Sequence, residues 1–335
     1  LITYKDSGVD IEKGERLVER IKKMVGKLPS EGIVSSIGGF SALFSLKKYG
    51  SDLILSSATD GVGTKLAVAQ MADKHDTVGI DLVAMNVNDI ITNGSSPAFF
   101  LDYISYAEVK DRVLEDIIYG ITDGLYQSNA ALIGGETAQM PGMYKKGEYD
   151  LAGFCVGIAR KEELIKNEIK EGDAVIGISS SGFHSNGFSL LRHLFFDVAG
   201  YDLDTLLEGV PLAEVLLKPT NIYVKVFEAI KPFVKAAVHI TGGGFYENIP
   251  RVLSGRFDVV IEKKKMPSAA IFEVVKDIGK LSEKEMYGTF NMGVGFIVVT
   301  NKEDLSSVVQ AIEKEGYEAY RLGYVKNGTG RVEIV

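Results

Sequence analysis

Leu53-Ile54-Leu55-Ser56-Ser57-Ala58-Thr59-Asp60-Gly61-Val62-Gly63-Thr64-Lys65, residues 53–65, reads as a buried strand that runs into a glycine turn and leaves it as a helix. Residues 53–58 supply the strand, Asp60-Gly61-Val62-Gly63 punctuates it, and residues 64–72 continue with helical character. Glycines at 61 and 63 let the backbone turn tightly and come close to a ligand. The first turn of a helix offers free N–H groups to an anion. Lys65 adds positive charge there, Thr64 adds a hydroxyl, and Asp60 is suited to Mg²⁺. The competing possibility is a plain strand-to-helix turn with Asp60 as its cap. The spacing is not that of a P-loop, which needs Gly-x-x-x-x-Gly-Lys-Ser/Thr.

Working outward, residues 11–28 repeat apolar side chains on one helical face, with Asp10 as N-cap. Helices are predicted over about 79–92 and 109–125, a strand after Pro97 through Leu101, and apolar strands at 130–133 and 151–159. The charge-dense run from Arg160 to Asp173 marks a boundary, which divides the chain into residues 1–165 and 166–335. Beyond it come strands at 174–178, 257–261, 295–300 and 319–325. Helices are expected from about 186, near 212–217 and 221–230, and near 303–315. Strands mixed with helices in both halves predict an α/β (α+β) fold with two domains.

Polar residues interrupt several of these elements. In Asp81-Leu82-Val83-Ala84-Met85-Asn86-Val87-Asn88-Asp89, Asn86 and Asp89 share one helical face, and Asp81 lines up with Asn88. Either those faces meet solvent or they meet a cation, because such groups are costly to bury alone. Leu132-Ile133-Gly134-Gly135-Glu136 runs an apolar strand into two glycines and a carboxylate. That is a turn with a solvated Glu136, or a strand end holding a metal. Ser179-Ser180-Ser181-Gly182-Phe183-His184-Ser185-Asn186-Gly187 and Thr241-Gly242-Gly243-Gly244-Phe245 are small-residue loops in which several N–H groups can converge on phosphate oxygens. Phe290-Asn291-Met292-Gly293-Val294-Gly295 is a weaker candidate of the same kind. His184 is a candidate general base, phosphate donor or structural hydrogen-bonding group. His75, His193 and His239 have no evident partners in sequence.

Composition excludes several classes. The chain has 335 residues, is 46% hydrophobic and 24% charged, and needs no disulfide or metal to complete a core. Its net charge of −8 disfavours a nucleic-acid partner. An anionic ligand must then be held by local features. No run of 18 apolar residues predicts a membrane span, and no signal-peptide core is evident. The single cysteine, Cys155, sits in an apolar run, which predicts a buried thiol and fits a reducing, cytoplasmic setting.

Several stretches resemble one family over nearly the whole chain. They are YKDSGVDI at 4–11, IGGFSALF at 37–44, TDGVGTK at 59–65, GIDLVAMNVND at 79–89, FFLDY at 99–103, GGETAQMPGMY at 134–144, AGFCVGI at 152–158, SSSGFHSNGFSL at 179–190, HITGGGFYENIPRVL at 239–253 and EMYGTFNMGVGF at 285–296. Together they resemble the aminoimidazole ribonucleotide synthetases, the phosphoribosylformylglycinamidine cyclo-ligase family. The resemblance implies ATP-dependent ring closure on a ribose-phosphate substrate in purine biosynthesis, with Mg²⁺. It implies an N-terminal ATP-binding and dimerisation domain whose mixed sheet forms a barrel at a homodimer interface, and a C-terminal α/β domain that binds substrate.

Residue by residue, the resemblance implies Asp60, Asp89 and Glu136 as metal ligands. The nucleotide set adds Gly38, Gly39, Gly61, Gly63, Thr64, Lys65 and Asn86. Ser181, Gly182, His184, Ser185, Asn186, Gly242, Gly243, Gly244 and Asn291 would contact substrate. Asp60, Lys65, Asp89 and His184 are the catalytic candidates, with Lys65 neutralising phosphate. Alternatives are another member of the same ATP-binding superfamily or a non-catalytic nucleotide-binding protein. Selenophosphate synthetases usually carry a reactive Cys in the N-terminal glycine loop, and residues 35–45 hold none.

Overall fold

A computed structural model describes residue 34, residues 42–47 and residues 51–335. The helix expected over 11–28 and the candidates Gly38 and Gly39 lie outside the described residues. Two sheets organise the rest. The first contains β1 (Ala42–Ser45), β2 (Leu53–Gly61), β3 (Ser96–Tyr106), β4 (Ala131–Gln139) and β5 (Tyr149–Arg160) in the order β1-β2-β5-β3-β4. Only β3 and β4 run parallel, joined by a helical crossover.

The barrel expected from the resemblance is overturned. Closure would require β1 to bond to β4, but among the described residues they are the two opposite edges of an open five-stranded sheet. The turn expected at Gly134-Gly135 is also absent, since both glycines lie inside β4 and pair with Leu101 and Asp102.

Helix α2 (Val78–Ile91) packs on β2, β5 and β3 of this sheet, flanked by α1 (Lys65–Ala72) and α3 (Asp111–Ser128). In α2 every residue except Ile80 and Asp89 is buried, so it is a core helix rather than an amphipathic one. It packs against α3 backbone to backbone. A Cβ on Gly79 would strike the Ile117 carbonyl, and one on Gly120 would strike the Asp76 carbonyl.

The second sheet comprises β6 (Ala174–Ser179), β9 (Val234–His239), β10 (Phe257–Ile261), β11 (Val294–Thr300), β12 (Ala319–Asn327) and β13 (Val332–Ile334). Its order is β13-β10-β12-β6-β11-β9. A two-stranded ribbon, β7 (Leu206–Leu207) with β8 (Val210–Pro211), stands apart from it. Every residue of β11 is buried, which matches a strand covered on both faces.

One apolar cluster joins Val87 and Ile91 of α2 to Tyr223, Phe227 and Phe296 of the second half, and another covers the opposite face of the second sheet. The helices here are α4 (Phe188–Arg192), α5 (Leu212–Leu216), α6 (Val224–Ile230), α7 (Gly244–Asn248), α8 (Ala270–Gly279), α9 (Glu283–Thr289) and α10 (Leu305–Lys314). No helix among the described residues is long and apolar enough to cross a membrane.

The α2–α3 contact gives a direct test. Replacing Gly120 by Val drives a branched side chain into the backbone around Asp76 and Gly79. Overpacking of this kind costs roughly 1–3 kcal/mol or more. The expected result is a lower urea midpoint with an unchanged slope.

Candidate active site

The end of β2, the C-terminal half of α2 and the two small-residue loops of the second half surround one cleft of about 680 Å³. From the first half it is lined by Asp60, Gly61, Gly63, Thr64, Met85 and Asp89, and from the second by Ser185, Asn186, Gly187 and Gly242. Asp150, Thr241 and Arg251 complete its polar wall. These loops meet because α2 is buried along its length yet leaves Asp89 uncovered near its C-terminal end.

The geometry binds the two halves together at the rim. The Thr64 and Ser189 hydroxyls lie 3.1 Å apart. The Asn186 Oδ1 accepts from the Gly242 N–H at 2.9 Å, so one glycine loop holds the other. The Asn186 Nδ2 is buried and finds no partner among the described residues. It is a spare donor on a residue that lines the cleft. Gly243 and Gly244 adopt φ of 85° and 55°, where a side chain would be strained, and Asn248 Nδ2 donates to the carbonyls of Gly242 and Gly244 at 3.2 and 2.7 Å.

The acidic side carries unbalanced charge. Asp60 is pushed up from the usual 3.8 to about 6, first by burial and then by the charge of Asp89, while the Gly61 N–H and His239 pull the other way. Asp89 accepts from, or pairs with, His239 Nδ1 at 2.8 Å, and that imidazole is fully buried. A buried carboxylate whose proton affinity is raised by a neighbouring carboxylate suits a hard cation. No group of three or more metal-ligating side chains occurs among the described residues. The donor set therefore fits Mg²⁺ that takes one or two carboxylates and completes its shell with phosphate oxygens and water.

Several expected residues lie elsewhere. Glu136 is exposed within β4, and the register Gly61–Ala152–Tyr103–Glu136 sets it three strands from the cleft, about 14 Å away. Asn86 is buried beneath the cleft, where its Nδ2 donates to the carbonyls of Leu82 and Asp60 at 2.8 and 3.3 Å. Lys65 is the sharpest departure. It is fully buried, and its Nζ donates to Asp81 Oδ1 at 3.0 Å, to the His184 carbonyl at 3.0 Å and to the Lys218 carbonyl at 2.7 Å. An ammonium so engaged has no donor left for a phosphate. The lysine side chain turns inward because α1 begins there.

His184 is buried as well. Its Nε2 accepts from the Ser181 N–H at 3.2 Å, and burial holds its pKa well below the usual value, so it stays neutral beneath the loop. Ser181, Gly182 and Asn291 form scaffold bonds: Ser181 Oγ donates to the Pro219 carbonyl at 2.6 Å and Asn291 Nδ2 to the Gly182 carbonyl at 2.8 Å. Asp81 and Asn88 do not line the cleft, and Asp81 pairs in the interior with the Lys65 ammonium. They hold the 220–223 segment, with Asn88 bonded to Asn221 and Tyr223. The histidines without evident partners do have them: His75 contacts Tyr149 and Asp73, His193 contacts Asp197, and His239 contacts Asp89. Burial pushes the Cys155 thiol up to about 12. Asp150, Arg251 and His239 were not among the sequence candidates; Arg251 follows the glycine loop closely and was the most accessible of them to sequence reasoning.

The comparisons with known proteins agree across the chain. The family model "AIR synthase related protein, N-terminal domain" matches residues 41–159, and the corresponding C-terminal domain model matches residues 170–335. The phosphoribosylformylglycinamidine cyclo-ligase of Thermoanaerobacter pseudethanolicus is 49% identical over 335 residues, covering 99% of each chain. That of Clostridium botulinum (strain Langeland) is 45% identical, covering 100% of each. Thiamine monophosphate kinase from Aquifex aeolicus shares the fold, with a TM-score of 0.63 at 18% identity over 96% of this chain and 97% of that one.

The carboxylate pair predicts a measurable coupling. With Asp89→Asn, the titration of Asp60 should fall from about 6 toward 3.8, followed by carbon-13 resonances of labelled aspartate. Since the folded value lies above the unfolded one, ionising Asp60 costs stability. That cost is absent below pH 3.8 and grows until pH about 6. Asp60→Asn should therefore gain stability relative to wild type at pH 8 and show little gain at pH 3.

Proposed function

The chain belongs to the phosphoribosylformylglycinamidine cyclo-ligase family, and on that premise we propose how its cleft carries out the family's reaction. The protein is an ATP-dependent ligase of purine biosynthesis. It closes formylglycinamidine ribonucleotide to aminoimidazole ribonucleotide and releases ADP and phosphate. The chemical obstacle is the amide oxygen, which is a poor leaving group. Transfer of the γ-phosphoryl group to that oxygen converts it into phosphate. An amidine nitrogen of the same molecule then attacks the activated carbon, the C–N bond closes the imidazole ring, and phosphate departs.

Ring closure is intramolecular, so the protein chiefly has to hold the substrate folded. Good orientation lowers such barriers by up to about 7–11 kcal/mol. Phosphoryl transfer is likewise positioning and charge neutralisation. No reactive nucleophile is required, in keeping with the high thiol pKa of Cys155.

The observation that carries the assignment of roles is the meeting of Asp60 and Asp89 with Ser185, Asn186 and Gly242 in one cleft. Asp60 and Asp89 would hold Mg²⁺, and Asp150 lines the same cleft. When bound, the ion neutralises nucleotide phosphate charge. Gly61, Gly63 and Thr64 offer backbone and hydroxyl groups to the nucleotide, and Ser185, Asn186 and Gly242 serve the ribose-phosphate substrate. His239 orients Asp89 through its Nδ1. His184 shapes its loop rather than taking a proton. In this scheme residues 1–165 bind ATP and Mg²⁺ and dimerise, and residues 166–335 bind substrate. A homodimer is supported by the exposed apolar residues Leu132, Ile133 and Phe154 on the first sheet. A cytoplasmic setting is in keeping with the single buried cysteine.

Turnover tests the scheme. ADP release should depend on formylglycinamidine ribonucleotide and on Mg²⁺. Asp89→Asn should lose on the order of 100-fold in kcat/KM and weaken the apparent affinity for Mg²⁺. Wild-type values for both would remove Asp89 from the site.

A further inference from the structure

Lys65 and Asp81 form a closed polar ring with residues of the second half, and none of the cleft's chemistry described above uses it. Asp81 Oδ2 lies 2.8 Å from Lys65 Nζ, and both side chains are fully buried. Asp81 Oδ1 accepts from Lys65 Nζ, from the Thr220 N–H and from the Thr220 hydroxyl, the last two at 2.7 Å. The Thr220 hydroxyl lies 3.0 Å from the Ser185 hydroxyl. Lys65 Nζ returns to the carbonyl of His184, the residue before Ser185. Two routes from one ion pair thus converge on Ser185, which lines the cleft.

The ring is also tied to the nucleotide side. Lys65 follows Thr64 directly, and its ammonium sits 5.5 Å from the centre of the Phe188 ring, another residue of the cleft wall. His184 is held at φ of 59°, an unusual conformation for a residue with a side chain. Gly295 leaves room for that imidazole: a Cβ there would overlap His184 and Tyr223. The bent segment 184–187 therefore has its position set by groups on the other half of the chain, and a free loop would have no reason to keep it.

We propose that the Lys65–Asp81 pair, acting through Thr220, is a positioning device that fixes Ser185-Asn186-Gly187 opposite the Asp60–Asp89 carboxylates. It sets the separation between the two ligand-binding walls and touches neither ligand. The proposal rests on the assignment of the cleft as the site of ring closure.

Thr220 allows a test that spares the buried charges. Thr220→Val removes the hydroxyl shared by Asp81 and Ser185 while keeping size and backbone, and Thr220→Ser restores it. Thermal unfolding, kcat and KM for ATP and for formylglycinamidine ribonucleotide are measured on each, well below its melting temperature. The Val variant should stay folded and lose on the order of 10- to 100-fold in kcat/KM, and the Ser variant should recover most of that loss. Lys65→Met, if it folds, should lose at least as much.

Amide hydrogen exchange at residues 185–187 supplies a readout independent of turnover. It should accelerate in the Val variant and return toward wild type in the Ser variant. Wild-type turnover in the same preparation is the control: its absence would remove the activity assignment, and exchange alone would then decide the positioning role. A folded Val variant with wild-type kinetics, or with unchanged exchange at 185–187, would overturn the proposal.

Discussion

Asp81 lies out of contact with water between the two halves of the chain, and a carboxylate in that position must be neutralised and hydrogen bonded to remain ionised. Lys65 supplies the charge, and Thr220 supplies two further donors. Desolvating both ions is expensive, so such a pair adds little net stability compared with apolar packing of equal size. What it adds is directionality. Apolar contacts between α2 and the second half tolerate small slides, whereas an ammonium with three acceptors in fixed places does not. Removing one partner alone would leave a buried, uncompensated ion, with a cost of roughly 3–5 kcal/mol. In the positioning role proposed for it, the pair acts together with the bonds of Asn88 to Asn221 and Tyr223 that also join the two halves.

That arrangement also explains how charge is distributed in the cleft. The lysine nearest the glycine turn is occupied in the interior, so it cannot cancel the carboxylates of Asp60 and Asp89. The cleft keeps an excess of negative charge on one wall and backbone donors with Asn186 Nδ2 on the other. A polyanion is poorly received by the first wall unless a cation comes with it. A chain with a net charge of −8 binds anions by such local polarity and not by its overall field.

Much of this was legible from residues alone, and the parts that were not share a cause. Strand β2 and helices α2 and α3 were readable because their apolar runs are long and, in α3, periodic. Strand β4 was shortened in the reading because Gly134-Gly135-Glu136 resembles a turn. Those residues extend as an exposed edge strand whose partners in β3 no local pattern reveals. Helix α9 went unassigned, although Ser282 and Glu285 form a capping box that local rules could have found. The cleft-lining acids Asp60 and Asp89 followed from their motifs. Asp150 and His239 did not, because each reaches the site only through sheet register or a long-range contact.

Local reasoning also failed in which way side chains point. Within Thr59-Asp60-Gly61-Val62-Gly63-Thr64-Lys65 the backbone changes from strand to helix, and consecutive residues leave in opposite directions. Residues 60–64 line the cleft, and the next one reaches 0% exposure in the interior. In α2 the same occurs by angle: Asp89 faces the cleft, while Asp81 and Asn88 face the segment 220–223. A polar residue in a motif beside a ligand site thus has two possible duties. Contact with the ligand requires an exposed atom with hydrogen-bonding capacity to spare. Holding the wall in place requires the reverse, a buried atom with every bond made. Asn186 stands between the two, with Oδ1 committed to Gly242 and a buried Nδ2 left without a partner among the described residues. It is the point at which the scaffold becomes the site.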